Sequence, residues 1–383
     1  MTPIAIASDL VERLDLPDAW TRAGIAWLVA RTARHLAGAD PRATDRFAEA
    51  MAAYPIAAFA EAANAQHYEL PPEFFGLVLG PRRKYSCCLY DGAETLAQAE
   101  LRALEATAGH AMLEDGQDVL ELGCGWGSLS LWLAQRHPAS RITAVSNSRP
   151  QRAYIEAQAA SLGLRNLRVL TADMNHFRAD GTYDRIVSIE MFEHIANWGA
   201  LLARAHGWLR PDGRLFLHVF AHRSQPYRFE VGNRADWIAQ HFFTGGIMPS
   251  HGLIRGFPAL FAVEQDWRWD GTHYQRTARD WLANFDRNRP RIDRLMQEVY
   301  GARAALWTRR WRLFFLATAG LFGHAGGGEW GVSHYRLRPV ADQAARGLAA
   351  AAAPAAECAR GGEASSAIRP TRIPWWRRAI SSP

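Results

Sequence analysis

Two short strings in this chain have residue types and spacing that can do chemistry. The first is Glu121-Leu122-Gly123-Cys124-Gly125-Trp126-Gly127. It follows the apolar pair Val119-Leu120 and leads into a helical pattern, the setting in which a glycine loop holds a nucleotide-like ligand. Gly123 and Gly125 permit backbone conformations and close approaches that a Cβ would block, and Glu121 places a carboxylate at the strand end. The loop reads G-x-G-x-G, whereas the pyrophosphate of a dinucleotide wants G-x-G-x-x-G and an acid ending the second strand. Here that strand ends Ser146-Asn147-Ser148. S-adenosylmethionine carries no phosphate. Its amino group and ribose hydroxyls want acceptors, which Glu121 and Gly123 offer, and Asp173, after the third strand, can accept from the adenine amino group. A strand-to-helix turn without chemistry is the alternative.

The second string is Glu190-Met191-Phe192-Glu193-His194. At helical spacing Glu190, Glu193 and His194 would share one face. Methyl transfer from a sulfonium is an in-line displacement from an already activated donor. The protein therefore mainly supplies orientation, for which well-placed groups contribute up to ~7–11 kcal/mol. An amine acceptor is mostly protonated at neutral pH, and a nearby carboxylate or imidazole can attract the cation and take its proton. An alkene has no proton to lose before attack and one to lose afterwards. Each candidate also has a plainer role. Glu190 can be a solvated loop carboxylate, Glu193-His194 a structural pair, and His218 a satisfied core histidine. Tyr85 and Tyr274 can be packing aromatics, and Cys87 fits an inert buried thiol better than a nucleophile.

Both strings need a scaffold, and residues 115–220 supply one. Strand-like runs Asp118–Gly123, Arg141–Val145, Leu167–Ala172, Tyr183–Ile189 and Arg214–Phe220 alternate with helical runs Ser128–Gln135, Gln151–Leu162 and Leu201–Leu209. That rhythm predicts an open, mostly parallel α/β sheet with ligands at the strand carboxyl ends. Around this core, residues 1–65 read as a helical cap and 66–114 as an irregular then helical segment entering the site. The S-adenosylmethionine-binding core spans 115–240. Residues 241–345 combine a substrate lid, with a long helix from about Thr277, and a returning strand at Glu329–Arg338. Residues 346–383 form a disordered Ala/Pro/Arg-rich tail, whose Trp375-Trp376-Arg377-Arg378 could touch a membrane surface. The aromatic residues Phe242, Phe243, Trp267, Trp269, Trp281, Phe314 and Phe315 gather after the sheet and suit a sulfonium, an ammonium or a carbocation equally.

The chain has 383 residues, 49% hydrophobic and 21% charged, which excludes a disordered or fibrous protein. Its net charge of +6 is carried almost wholly by arginine, since Lys84 is the only lysine. The arginines are scattered, and no basic stripe with interleaved aromatics points to nucleic acid. Four cysteines without a C-x-x-C pair, and an N-terminus without a signal-peptide pattern, predict a reduced, cytoplasmic setting. No apolar run is long enough to span a bilayer.

At this point the sequence resembles the cyclopropane-fatty-acyl-phospholipid synthase family over about residues 50–340. The strings E-L-G-C-G-W-G-S, Y-S-C at Tyr85–Cys87, F-E-H at Phe192–His194 and H-Y at His273-Tyr274 carry the likeness. K-Y-S-C-C at 84–88, S-I-E-M-F-E-H at 188–194, F-F-T-G-G-I-M-P-S at 242–250, W-R-L-F-F at 311–315 and G-E-W at 328–330 place it nearest the coclaurine N-methyltransferase branch. The resemblance implies a class I methyltransferase fold, Rossmann-like with a mostly parallel seven-stranded sheet, and S-adenosylmethionine as donor. The acceptor is then a small amine, or the double bond of an unsaturated phospholipid acyl chain. Synthases of the family hold a bicarbonate, and its surrounding groups carry over onto Cys87, Glu193, His218 and Tyr274. Thr318 stands at the place of a further cysteine and Glu190 where synthases carry glycine, and both departures argue against bicarbonate here. The expected catalytic residues are Glu190, Glu193, His194, His218 and Tyr274. The expected donor-binding residues are Tyr85, Ser86, Glu121, Gly123, Gly125, Gly127, Asn147, Gln151, Asp173 and Met174. No metal is expected.

Overall fold

Strands covered on both faces read as continuous apolar runs, and the run leading into the glycine loop is buried at every position. The computed structural model describes residues 12, 16–38, 40, 42–58, 70–91, 95–229 and 236–341. The expected tail and its Trp375–Arg378 cluster lie outside the described residues. Two helices come first, α1 (Asp18–Ala37) and α2 (Ala43–Ala50), then α3 (Pro72–Val78) and α4 (Leu96–Ala111). The alternating core follows as β1 (Asp118–Leu122), α5 (Ser128–Arg136), β2 (Arg141–Ser146), α6 (Arg149–Ser161), β3 (Leu167–Thr171), β4 (Tyr183–Ile189), α7 (Trp198–Trp208) and β5 (Leu209–His222). Next are β6 (Tyr227–Arg228), α8 (Trp237–His241), β7 (Ile247–Met248), β8 (Phe261–Asp270), α9 (Gly271–Arg287), α10 (Arg289–Tyr300), α11 (Ala304–Phe322) and β9 (Trp330–Pro339).

The main sheet has seven strands in the order β3-β2-β1-β4-β5-β9-β8. The first five are parallel, and β9 runs antiparallel to both β5 and β8. Strand order reverses at β1, where β1 pairs with β2 on one side and β4 on the other, so the loops after β1 and β4 open into one crevice. The α/β expectation is met, with β6 and β7 forming a separate two-stranded ribbon.

Two parts differ from the sequence reading. Phe261–Asp270 falls in the expected lid segment, yet it is the edge strand β8 of the main sheet. Its burial alternates weakly because one edge faces solvent, so the period that marks a strand is faint. The long helix starts at Gly271 rather than Thr277, because the Asp270 side chain accepts from the Thr272 amide and caps it. Helix α4 begins where expected, with a capping box between Thr95 and Gln98.

The lid-side core is aromatic. Phe74, Phe75, Trp126, Phe242, Trp281, Phe285, Trp311, Phe314 and Phe315 are buried in one cluster built from α3, the glycine loop, α9 and α11. Phe242 stacks on Phe314 with centroids 4.5 Å apart, and Trp311 meets Phe74 at 4.8 Å. Such contacts fix the helices around the crevice beyond what buried area alone supplies.

Candidate active site

The glycine loop closes β1 and starts α5. Gly123 has φ +80°, and a Cβ there would stand 2.6 Å from the Met191 side chain. Gly125 has φ +52° and faces open space. That space is a cavity lined by Tyr85, Ser86, Glu121, Gly123, Gly125, Trp126 and Ser128, with Glu190 at its far wall. Glu121 is 3% exposed and binds the Ser130 hydroxyl. Burial pushes its carboxyl up to about 7, against the bond from Ser130 and the charge of Lys84. The buried polar atoms Trp126 Nε1 and Ser128 Oγ have no protein partner, so the wall has donors left for a polar ligand. This chemistry fits the amino acid and ribose portions of S-adenosylmethionine.

Other expected donor residues stand off from this cavity. Gly127 is the N-cap position of α5 and sits against Ile155. Gln151 is buried, with its Oε1 accepting from the Ser146 hydroxyl at 2.7 Å. Asn147 follows β2, and Asp173 and Met174 follow β3. Asp173 accepts from the Asn175 amide at 2.8 Å, and the Met174 carbonyl accepts from Arg204 at 2.7 Å. These four line the carboxyl edge of β2 and β3, on the side where an adenosine would extend from the glycine loop.

Glu190 is the residue on which the site converges. It follows β4 with φ +48°, a left-handed backbone that non-glycine residues rarely adopt. Its Oε1 accepts from the Cys87 amide at 2.9 Å and pairs with His218 Nε2 at 3.1 Å. Its Oε2 accepts from the Tyr274 hydroxyl at 2.6 Å. Burial raises its pKa, and the charge of Lys84, the Cys87 amide and the Tyr274 hydroxyl oppose the rise. His218 is fully buried, and burial together with the Lys84 charge pushes its pKa well below the ordinary value, so the ring is neutral.

The expected helical face over 190–194 does not form. Glu190 is left-handed and only Phe192–His194 makes a short 3₁₀ turn. Glu190 and His194 therefore line one cavity, while Glu193 turns toward β5. There its Oε1 accepts from the Phe220 amide at 2.6 Å and its Oε2 has no partner. Burial first, and the neighbouring Glu190 second, push Glu193 well above the usual carboxylate range, which keeps it neutral.

The cavity that Glu190 and His194 line is the second one at this site. Its lining is aromatic, from Tyr85, Phe220, Phe229, Phe243, Trp281, Phe314 and Phe322, with Glu190, His194, Tyr85 and Tyr274 as its titratable groups and Thr318 on the α11 wall. The His194 ring stacks on Phe243 at 4.9 Å. Tyr85 and Glu190 belong to both cavities, so the two meet at these residues. Of the aromatic group noted in the sequence, Phe243, Trp281 and Phe314 reach the cavity, and Phe242 and Phe315 back it in the core. Trp267 and Trp269 pack instead on histidine rings. Cys87 is buried and burial drives its thiol pKa far up, so it contributes its amide and not its sulfur.

Lys84 is a further buried polar residue of the site, outside the set expected from the sequence. It is 2% exposed, lines the cavity at the glycine loop, and donates to Ser86 Oγ at 2.5 Å and to the Cys87 carbonyl at 2.7 Å. The signal was available, since a lone lysine in an arginine-rich chain stands directly before the Tyr85–Cys87 string. His334 and His110, which continue the hydrogen-bond line from His218, were also missed. Among the described residues no group of His, Cys, Asp and Glu could hold a metal ion.

Comparison with known proteins agrees with this geometry. The chain is 35% identical over 285 residues to (S)-coclaurine N-methyltransferase of Thalictrum flavum subsp. glaucum, covering 73% of this chain and 79% of the relative. A crystal structure of coclaurine N-methyltransferase bound to N-methylheliamine and SAH superimposes with TM-score 0.82 at 32% identity, covering 88% of this chain and all of that one. The cyclopropane synthase MmaA2 of Mycobacterium tuberculosis superimposes with TM-score 0.62 at 26% identity, covering 73% and 98%. The family model for mycolic acid cyclopropane synthetase matches residues 58–325, a span that holds the glycine loop, Glu190 and both cavities, and the chain belongs to that family.

Proposed function

We propose that this protein is an S-adenosylmethionine-dependent methyltransferase that N-methylates a small, apolar amine, as its similarity to coclaurine N-methyltransferases supports. The observation that carries the reading is the placement of the Glu190 carboxylate. The family resemblance assigns the Cys87 amide, His218 and Tyr274 to a bicarbonate in the synthases. In this chain those three groups converge on Glu190 itself. A carboxylate has about four acceptor sites. Three are taken, and Glu190 lines the aromatic cavity with one to spare.

The donor supplies an electrophilic methyl group on sulfur. Glu121, Ser128 and the Gly123–Gly125 backbone would hold it, and Asp173, at the end of β3, would accept from its adenine amino group. Tyr85, between the cavities, keeps the two reactants aligned. Glu190 attracts the ammonium form of the acceptor, and its raised pKa makes it the better proton acceptor near neutrality. His194, stacked on Phe243, offers a second polar contact, and the aromatic wall suits a cation bearing rings. The bonds from His218 and Tyr274 hold the carboxylate in place.

The second reading is modification of unsaturated acyl chains, favoured by the family and by an apolar lining that suits a lipid tail. It needs a base after methyl transfer, and Glu190 fills the place of the bicarbonate that serves in the synthases. The free thiols of Cys87, Cys88 and Cys124 support a reducing, cytoplasmic setting. Among the described residues no helix is long and apolar enough to cross a membrane, and a peripheral lipid contact belongs to the second reading. The deciding experiment incubates purified protein and donor with cyclic secondary amines and, separately, with unsaturated phospholipid vesicles. Methylated amine and unaltered lipid are expected. Acyl chains gaining one CH₂ per double bond, with no amine turned over, refute the reading.

A further inference from the structure

Lys84 is the only lysine of the chain, and it is buried in the wall of the cavity behind the glycine loop. An ammonium has three N–H donors and no acceptor. One goes to Ser86 Oγ at 2.5 Å and one to the Cys87 carbonyl at 2.7 Å, and neither partner is charged. Among the described residues no carboxylate forms an ion pair with it. Its charge reaches Glu100, Glu121 and Glu190 without pairing any of them. Burying a charge is costly unless it is paired. A buried cation of this kind in the wall of a ligand cavity is placed for an anion that the ligand brings.

The surrounding segment holds Lys84 there. Glu100 of α4 accepts from the Arg82 and Lys84 amides at 2.9 and 3.2 Å, which fixes the chain on either side of Arg83. Arg83 is the other cation of the cavity wall. Its guanidinium lies over the Tyr154 ring at 4.0 Å and donates to the Pro72 carbonyl at 3.0 Å, so it is engaged elsewhere. Lys84 closes a turn onto the Cys87 carbonyl, and the Cys87 amide in turn donates to Glu190 Oε1 at 2.9 Å. The charges match the donor. S-adenosylmethionine carries a sulfonium, an ammonium and a carboxylate. Glu121 and Glu190 on the cavity wall suit the two positive groups, and the negative one needs a cation.

We propose that Lys84 binds the carboxylate of the donor's amino-acid end and makes the site selective for donors that carry it. The proposal rests on the donor occupying the cavity behind the glycine loop. The remaining N–H of Lys84 gives a charge-assisted bond to one carboxylate oxygen. The Ser86 oxygen accepts from Lys84, so its own O–H is left to donate to the other oxygen. The amino-acid end is thereby tied to the same short loop whose Cys87 amide holds Glu190. A nucleoside thioether that lacks the carboxylate leaves the buried ammonium unpaired and is disfavoured.

The test compares S-adenosylhomocysteine with its decarboxylated analogue, which keeps the adenosine, the sulfur and the amine. Full-length protein labelled with heavy nitrogen at lysine Nζ gives one ammonium resonance, because the chain has one lysine. That resonance is expected to move when S-adenosylhomocysteine binds and to stay in place with the analogue. By calorimetry the wild type is expected to bind the analogue about tenfold or more weakly, the weight of a hydrogen bond to a charged group. Lys84→Gln keeps N–H donors and loses the charge. It is expected to lose about tenfold or more toward S-adenosylhomocysteine and to bind the analogue within about twofold of wild type. A purely structural role would weaken both ligands alike. Equal wild-type affinities, the same resonance shift with both ligands, or equal losses in the variant overturn the assignment of Lys84. The labelled wild type decides the matter if Lys84→Gln does not fold. A wild type that binds neither ligand overturns the placement of the donor, and the proposal with it.

Discussion

At the residue scale Glu190 is the side chain on which the site converges. A left-handed residue with a Cβ costs about 1–2 kcal/mol, so the backbone at position 190 accepts glycine without strain. Glu190→Gly is therefore expected to fold, to bind the donor within about twofold of wild type, and to lose about 10²-fold or more of amine turnover. It leaves the Cys87 amide, His218 and Tyr274 around an empty carboxylate-sized space. Added bicarbonate is expected to restore part of the lost turnover. Equal rates for variant and wild type would remove Glu190 from the mechanism. The site was partly legible because Glu190, His218 and Tyr274 sit in strings that resemble a known pattern. What the sequence hid was which way each side chain turns. Glu193 left the cavity because a left-handed residue followed by a 3₁₀ turn has no i, i+3 face. His110 and His334, 224 positions apart in the chain, meet only through strand register and helix packing.

At the element scale, the parallel strands and their helices were legible because each buries a repeating apolar pattern. The edge strand β8 was not, for want of a buried face. The joint between the N-terminal segment and the lid was hidden as well. Glu12 is its centre, bonded to Trp237 and His241 of α8 and to Arg310 of α11, while Arg309 donates to its carbonyl at 2.6 Å. Burial alone would raise its pKa, but the bonds from His241 and Arg310 hold it at about 2. A carboxyl depressed in the folded state stabilises above its unfolded pKa and loses that contribution as pH falls toward its folded one. Glu12→Gln is thus expected to cost about 2–3 kcal/mol at pH 7, the range for bonds to a charged group. The difference should shrink between pH 4 and pH 2. Parallel unfolding curves for the two proteins at pH 7 and pH 3 check this, and a gap independent of pH would show that the joint is steric.

At the scale of the whole molecule, the switch in strand order at β1 and the lid helices α9 and α11 make two cavities that share only Tyr85 and Glu190. On the proposed reading, donor and acceptor would press on common side chains while occupying separate walls, so what each ligand stabilises can be measured apart. A ligand bound only by the folded state stabilises it by about 2.7 kcal/mol at a hundredfold excess over Kd. For a chain of 383 residues that is a melting shift of roughly 3 °C. S-adenosylhomocysteine is expected to give that shift in the wild type and in Glu190→Gly. Gly125→Val fills the open space at the loop and forces a branched residue into φ +52°. It is expected to melt earlier by the about 1–3 kcal/mol that such strain costs, and to show no shift with S-adenosylhomocysteine. If Gly125→Val still gained the full shift, the cavity behind the glycine loop would not be where the donor binds, and the methyl group would have to approach Glu190 from another side.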